Sequence, residues 1–104
     1  MNKPLTVTIP HQLGREEAKR RLVTGIGQAR GYLETVASRI EEQWTGDRLD
    51  FHLVALAQAV SGRIDVLDDR VEMEVQLPWA LGLLANKIKD RVQRQGTLML
   101  EKKS

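Results

Sequence analysis

The segment Val71–Leu77 constrains this chain more than any other. Val71, Met73, Val75 and Leu77 alternate with Glu72, Glu74 and Gln76. A period of two sends four apolar side chains to one face of a sheet and the polar ones to the other. Pro78 stops the strand, and Trp79-Ala80-Leu81-Gly82-Leu83-Leu84 opens a helix that is apolar on nearly every side. Such a strand needs a partner layer over its greasy face, and the rest of the chain must supply it.

Upstream, Leu5, Val7 and Ile9 alternate with Thr6 and Thr8, a short β-branched strand closed by Pro10. His11–Gly14 reads as a loop, Gly14 as a tolerable N-cap, and Glu16 and Glu17 suit the positive end of a helix dipole. Ala18, Leu22, Ile26, Ala29, Leu33 and Val36 then recur at spacings of three and four, one helical stripe. Gly25, Gly27 and Gly31 interrupt it at roughly 1 kcal/mol each relative to alanine. They read as a kink or a close approach of helix to sheet, with a hinge or ligand-facing gap as the other reading.

Residues 39–44 fit either a longer helix or a strand. A helix reaching Trp44 would be about 45 Å long, against the roughly 20–27 Å of six- to eight-residue strands. The better match favours a strand, turned at Thr45-Gly46-Asp47. Two more alternating runs follow, Leu49/Phe51/Leu53 and Val60/Gly62/Ile64/Val66, with Asp68-Asp69 turning the chain into Val71–Leu77. The final helix is expected from Pro78 to Gly96, with Leu81, Leu84, Ala85, Ile88 and Val92 inward. Its wet side carries Lys87, Lys89, Arg91 and Arg94, and Thr97–Ser104 is expected to be a flexible tail. The fold class is therefore α+β, a single domain over residues 1–104. A four- to five-stranded antiparallel sheet in β-α-β-β-β-β-α order carries two helices on one face.

Charge narrows the partners. Residues 1–37 hold six Lys/Arg against three Asp/Glu, residues 78–104 six against two, and residues 38–77 four against nine. The exposed sheet face would bear Asp50, Asp65, Glu72 and Glu74 and should repel a phosphate backbone, so no nucleic-acid partner is expected. The basic helix face could instead rest on an anionic surface, although a solvated face is the commoner reading. No apolar run reaches the ~20 residues of a membrane span, and Met1–Thr6 lacks a signal-peptide pattern, which fits a cytoplasmic protein.

Chemistry finds little to use. With no cysteine, disulfides, thiolate metal sites and cysteine nucleophiles are excluded. His11 and His52 stand forty-one residues apart without a helical ligand pair. His11 reads as a loop residue and His52 as part of the polar strand face. Ser38, Ser61 and Ser104 have no nucleophile-elbow context. Gly25-x-Gly27-x-x-x-Gly31 lies inside a helix rather than after a strand, unlike a dinucleotide fingerprint. No catalytic residues, metal or cofactor are expected, and the chain reads as a non-enzyme.

Several signposts now coincide. His11-x-Leu13-Gly14-x-x-Glu17-Ala18 opens the first helix, and Trp44-x-Gly46-Asp47-x-Leu49-x-Phe51 makes a hairpin. Gly62-x-Ile64-x-Val66-x-Asp68-Asp69 precedes Val71-x-Met73-Glu74-Val75-x-Leu77. This ordered set, over about residues 5–95, resembles the polyhydroxyalkanoic acid system family, small bacterial proteins tied to polyhydroxyalkanoate granules and their gene neighbourhoods. The resemblance implies no catalytic activity. It implies a non-enzymatic accessory role in polyhydroxyalkanoate metabolism, in the cytoplasm at the storage-granule surface, with the granule or its coat proteins as partner. The chain departs from the family pattern in its longer, glycine-rich first helix. It departs again at His52–Ser61, an apolar stretch where a short polar turn is usual.

That apolar stretch makes a physical point of its own. In a meander its tip and the start of the final helix fall at the same end of the sheet. Val54, Leu56, Trp79, Ala80 and Leu83 would converge there as a candidate partner-binding surface. Closure of the core, a homodimer seam, or contact with a granule, lipid or other apolar partner would each account for them. An alternative function is a small apolar-ligand carrier of the helix-grip type, the glycine-interrupted helix making room for the ligand.

Overall fold

The computed structural model describes residues 4–55 and 57–101. Its elements are β1 (Leu5–Pro10), α1 (Arg15–Leu33), β2 (Ala37–Thr45), β3 (Arg48–Ala55), β4 (Gln58–Val66), β5 (Arg70–Gln76), a 3-10 helix (Trp79–Leu84) and α2 (Ala85–Met99). The strands form one antiparallel sheet in the order β1-β5-β4-β3-β2. The α+β class, the element order and the strand at 39–44 are as the sequence predicts.

Register turns the alternation into two faces. Val7, Met73, Ile64, Leu49 and Trp44 are successive cross-strand partners, as are Ile9, Val71 and Val66. Partners in an antiparallel pair share a face, so these rows define the inner side, where the helices pack. Ala18 and Leu22 of α1 and Leu100 after α2 join them in the core, and Leu49, Val7, Val66 and Val71 are the largest fully buried side chains. Burying each such side chain contributes about 1.5–3 kcal/mol. The core occupies one half of the sheet. Toward the other half, Ile40, Phe51, Leu53 and Val60 share the inner face but are only half-buried.

Missing side chains let the layers close. A Cβ on Gly96 of α2 would strike Ile9 Cδ1, and one on Gly25 of α1 would strike the end of Met99. Gly62 in β4 lies under the Phe51 ring and against the Glu74 carbonyl. Gly25 thus serves a close approach, as one sequence reading held, but to α2 rather than to the sheet. Gly27 and Gly31 meet nothing.

Several expectations need correction. Gly96 does not end the last helix: it is buried in the final turn against β1, because only hydrogen fits there. Thr97–Met99 stay helical and Leu100 is 2% exposed, so Thr97–Leu100 are not part of a flexible tail; residues 102–104 of that expectation lie outside the described residues. The first helix stops at Leu33, short of the Val36 end of its stripe, and Val36 is exposed. Helix formation after Pro78 starts as a 3-10 turn, with the Leu81 N–H donating to the Pro78 carbonyl at 2.9 Å. Neither a capping side chain nor an acidic residue favours an α-helical first turn there.

The outer face is also less acidic than the sequence implied. Asp50, Asp65, Glu72 and Glu74 do lie on it, by register with Thr6 and Thr8, but arginines sit among them. Arg48 reaches Asp65 at 2.7 Å, Arg63 reaches Glu74 at 2.9 Å and Asp65 at 3.5 Å, and Arg70 bridges Asp69 and Glu72. The Asp65 hydrogen bond raises the pKa of Arg48 further above its ordinary value. Repulsion of phosphate by this face is therefore weaker than four unpaired carboxylates would give.

A candidate interaction surface

The molecule is elongated, 41 Å by 24 Å by 23 Å, and its two ends are built differently. At one end sit the β1–α1 loop, the β2–β3 turn and the β4–β5 turn. His11 ties the first of these to the last. Its backbone N–H donates to the Asp69 carbonyl at 2.9 Å, and its ring Nε2 donates to the Leu67 carbonyl at 3.1 Å. Nδ1 accepts from the Leu13 N–H at 3.2 Å, which fixes the neutral ring as the Nε2–H tautomer. Both ring nitrogens are thus engaged, and His11 serves the loop as its position implied. Arg15 reaches Asp47 and Asp68, Lys19 donates to the Gly46 carbonyl at 2.7 Å, and the same ammonium lies 5.1 Å from the Trp44 ring centroid.

The opposite end is apolar. Gln76 stands opposite Ser61, so β5 leaves the sheet toward the turn between β3 and β4, as the meander predicts. Ala37 pairs with Ala55, which brings the close of α1 to the same end. Here Trp79 is 82% exposed and Leu83 98%, with Ala80 and Leu84 also exposed. Tyr32 and Val36, from the last turn of α1 and the link to β2, are exposed at this end too. Sequence reasoning missed both, because the expected stripe placed Val36 inward and gave Tyr32 no role.

The candidate residues do not all converge. Trp79, Ala80 and Leu83 lie together on the 3-10 helix, which leads into α2 on the inner side. Val54 pairs with Arg39 and Ala59 on the outer face and is half-buried. It shares the end of the sheet but not the side. Leu56 lies outside the described residues.

On α2, Lys87, Lys89, Arg91 and Arg94 are all exposed, but they do not form one face. At about 100° per residue, Lys87, Arg91 and Arg94 line up and Lys89 lies about 160° round from Lys87. None of the four makes an ion pair among the described residues, whereas every arginine outside α2 has at least one. His52 stands on the outer face between Glu41 and Ser61. Among the described residues no three His, Cys, Asp or Glu side chains gather as a metal site, and no helix is long and apolar enough to cross a membrane.

No curated protein and no solved structure matches the chain. The family model described as "Putative polyhydroxyalkanoic acid system protein" matches residues 5–99. That match spans every strand and both helices, so the chain belongs to the polyhydroxyalkanoic acid system protein family.

Proposed function

We propose that this chain is a non-enzymatic accessory protein of polyhydroxyalkanoate metabolism. It works in the cytoplasm and associates with storage granules or their coat proteins through its apolar end. The observation that carries this reading is the exposure of Trp79 and Leu83 at 82% and 98%. Large apolar side chains left in water at one end of a small domain mark a contact surface, since each loses about 1.5–3 kcal/mol of available burial while unpartnered. Family membership supplies the candidate partner.

Fractionation of granule-forming cells tests it. Wild-type protein is expected in the granule layer, and the double substitution Trp79→Asp/Leu83→Asp in the soluble fraction. Wild-type protein found wholly in the soluble fraction contradicts the reading. Retention of the double variant on granules would move the contact elsewhere on the molecule.

One observation favours a second reading, the small apolar-ligand carrier. After Leu22, α1 buries no further residue, and beside it Ile40, Phe51, Leu53 and Val60 stay half-buried on the inner face. A ligand between helix and sheet would cover them. A crystal structure under xenon pressure with no xenon between α1 and the sheet would remove this alternative.

A further inference from the structure

Three exposed regions lie outside the reading above: the ion-paired outer face of the sheet, the polar cleft between Arg20, Gly25 and Met99, and the outward side of α2. The outer face pairs most of its own charges, and the cleft is lined by arginines already tied to Glu17. The outward side of α2 is different. Its inward side is fixed by Gly96 against Ile9, with Ile88, Val92 and Met99 half-buried. On the opposite side Lys87, Arg91, Arg94 and Leu98 succeed one another at intervals of four, three and four residues, and Leu83 precedes them in the 3-10 helix. Such spacing draws a single line along a helix. Three cations that make no ion pair among the described residues therefore stand between two leucines that are 98% and 60% exposed. Trp79 lies just before the line.

From this pattern we infer that α2 and the 3-10 helix before it form an interfacial element that binds an anionic phospholipid surface. Trp79, Leu83 and Leu98 enter the acyl boundary, and Lys87, Arg91 and Arg94 meet the lipid phosphates. Charge complementarity selects this occupant. Among the described residues, Lys19 and every arginine outside α2 reach a carboxylate, whereas these three, like Lys89, have none within ion-pair distance even with Asp90 on the same helix, so an anionic surface supplies the counter-charge they lack. A phosphate surface alone would need no flanking leucines and no exposed tryptophan, and a neutral apolar surface would need no cations. A layer that is anionic above and apolar below uses both. The inference rests on the granule reading only through the anchors they share, Trp79 and Leu83; the cations are its own.

The test is co-sedimentation of the full chain with vesicles of phosphatidylcholine alone and of phosphatidylcholine mixed with phosphatidylglycerol. Binding is expected to the mixed vesicles only, and to weaken as salt rises. One cation near an anionic surface contributes roughly fivefold to partitioning. The triple variant K87Q/R91Q/R94Q is therefore expected to lose at least tenfold, while Lys89→Gln, off the line, leaves binding nearly unchanged. Circular dichroism checks that the helices persist in each variant. Equal binding to both kinds of vesicle overturns the inference, as does no binding to either. Equal losses from Lys89→Gln and the triple variant, or release of vesicle-bound protein by duplex DNA, would overturn it as well. Granule retention by the triple variant, with vesicle binding lost, leaves both this inference and the granule reading standing. Granule retention by a wild-type protein that ignores anionic vesicles refutes this inference alone, and vesicle binding without granule retention refutes the other alone.

Discussion

Ala57 holds a backbone φ of 64°, a left-handed conformation that no other described non-glycine residue adopts. The β3–β4 connection has only two residues, and tight hairpins require positive φ where the chain reverses. For alanine that conformation costs about 1–2 kcal/mol, whereas a glycine there would give back about 0.4–1 kcal/mol through a freer unfolded chain. Ala57→Gly is therefore expected to stabilise the fold by about 0.5–1 kcal/mol. A urea midpoint that rises with an unchanged slope would show it; a falling midpoint would mean the turn is not strained. The sequence marks this turn only as the tip between two alternating runs, since Leu56-Ala57 carries none of the Gly or Asn signals that made Gly46-Asp47 readable. Val54 was misjudged for a related reason. Composition marked it as greasy, but the register with Ala59 decides its side.

At the scale of elements, β1, β3, β4 and β5 were legible because a period of two survives in each, whereas β2, with Glu42 between Ile40 and Trp44 on its inner face and a register shift after Ala37, was legible only through its length. α1 was legible through its first turns, where Ala18 and Leu22 reach the core, and less so afterwards, where Ala29 and Val36 stay exposed despite the right spacing. The 3-10 helix was not legible at all. A segment apolar on every side has no stripe from which its geometry can be read. Gly96 misled twice: taken as a terminator, it shortened α2 and hid that Leu98 continues the line of Lys87, Arg91 and Arg94.

The first turns of α1 carry a prediction of their own. Hydrogen bonds from Arg20 and then Arg21 lower the pKa of Glu17 from 4.5 to about 2. With the folded value below the unfolded one, the unfolded chain binds more protons between them. The contribution of Glu17 is thus complete above pH 4.5 and lost as pH falls toward 2. Wild type is expected to exceed Glu17→Gln in stability at neutral pH and to converge with it in acid, with the gap narrowed by salt because the group is solvent-accessible. Parallel stability–pH curves for the two proteins would contradict this.

The whole molecule is polarised along its length. The end containing His11 is closed by hydrogen bonds and ion pairs, and the core sits close to it. The other end presents Tyr32, Val36, Trp79 and Leu83 to solvent, over an inner face left half-covered. The sequence disclosed that an apolar end exists, because an antiparallel meander forces its tip and the exit of β5 together. It did not disclose which side chains stay wet there, since that depends on where α1 stops following the sheet. The central claim is that this end is the one that meets the granule. Trp79 reports on it directly once Trp44 is replaced by phenylalanine, which keeps the inner face apolar. When isolated polyhydroxyalkanoate granules are added to that variant, the fluorescence of Trp79 is expected to shift to shorter wavelength as the indole leaves water. Protein that sediments with the granules while its emission stays that of a fully hydrated indole would contradict the account.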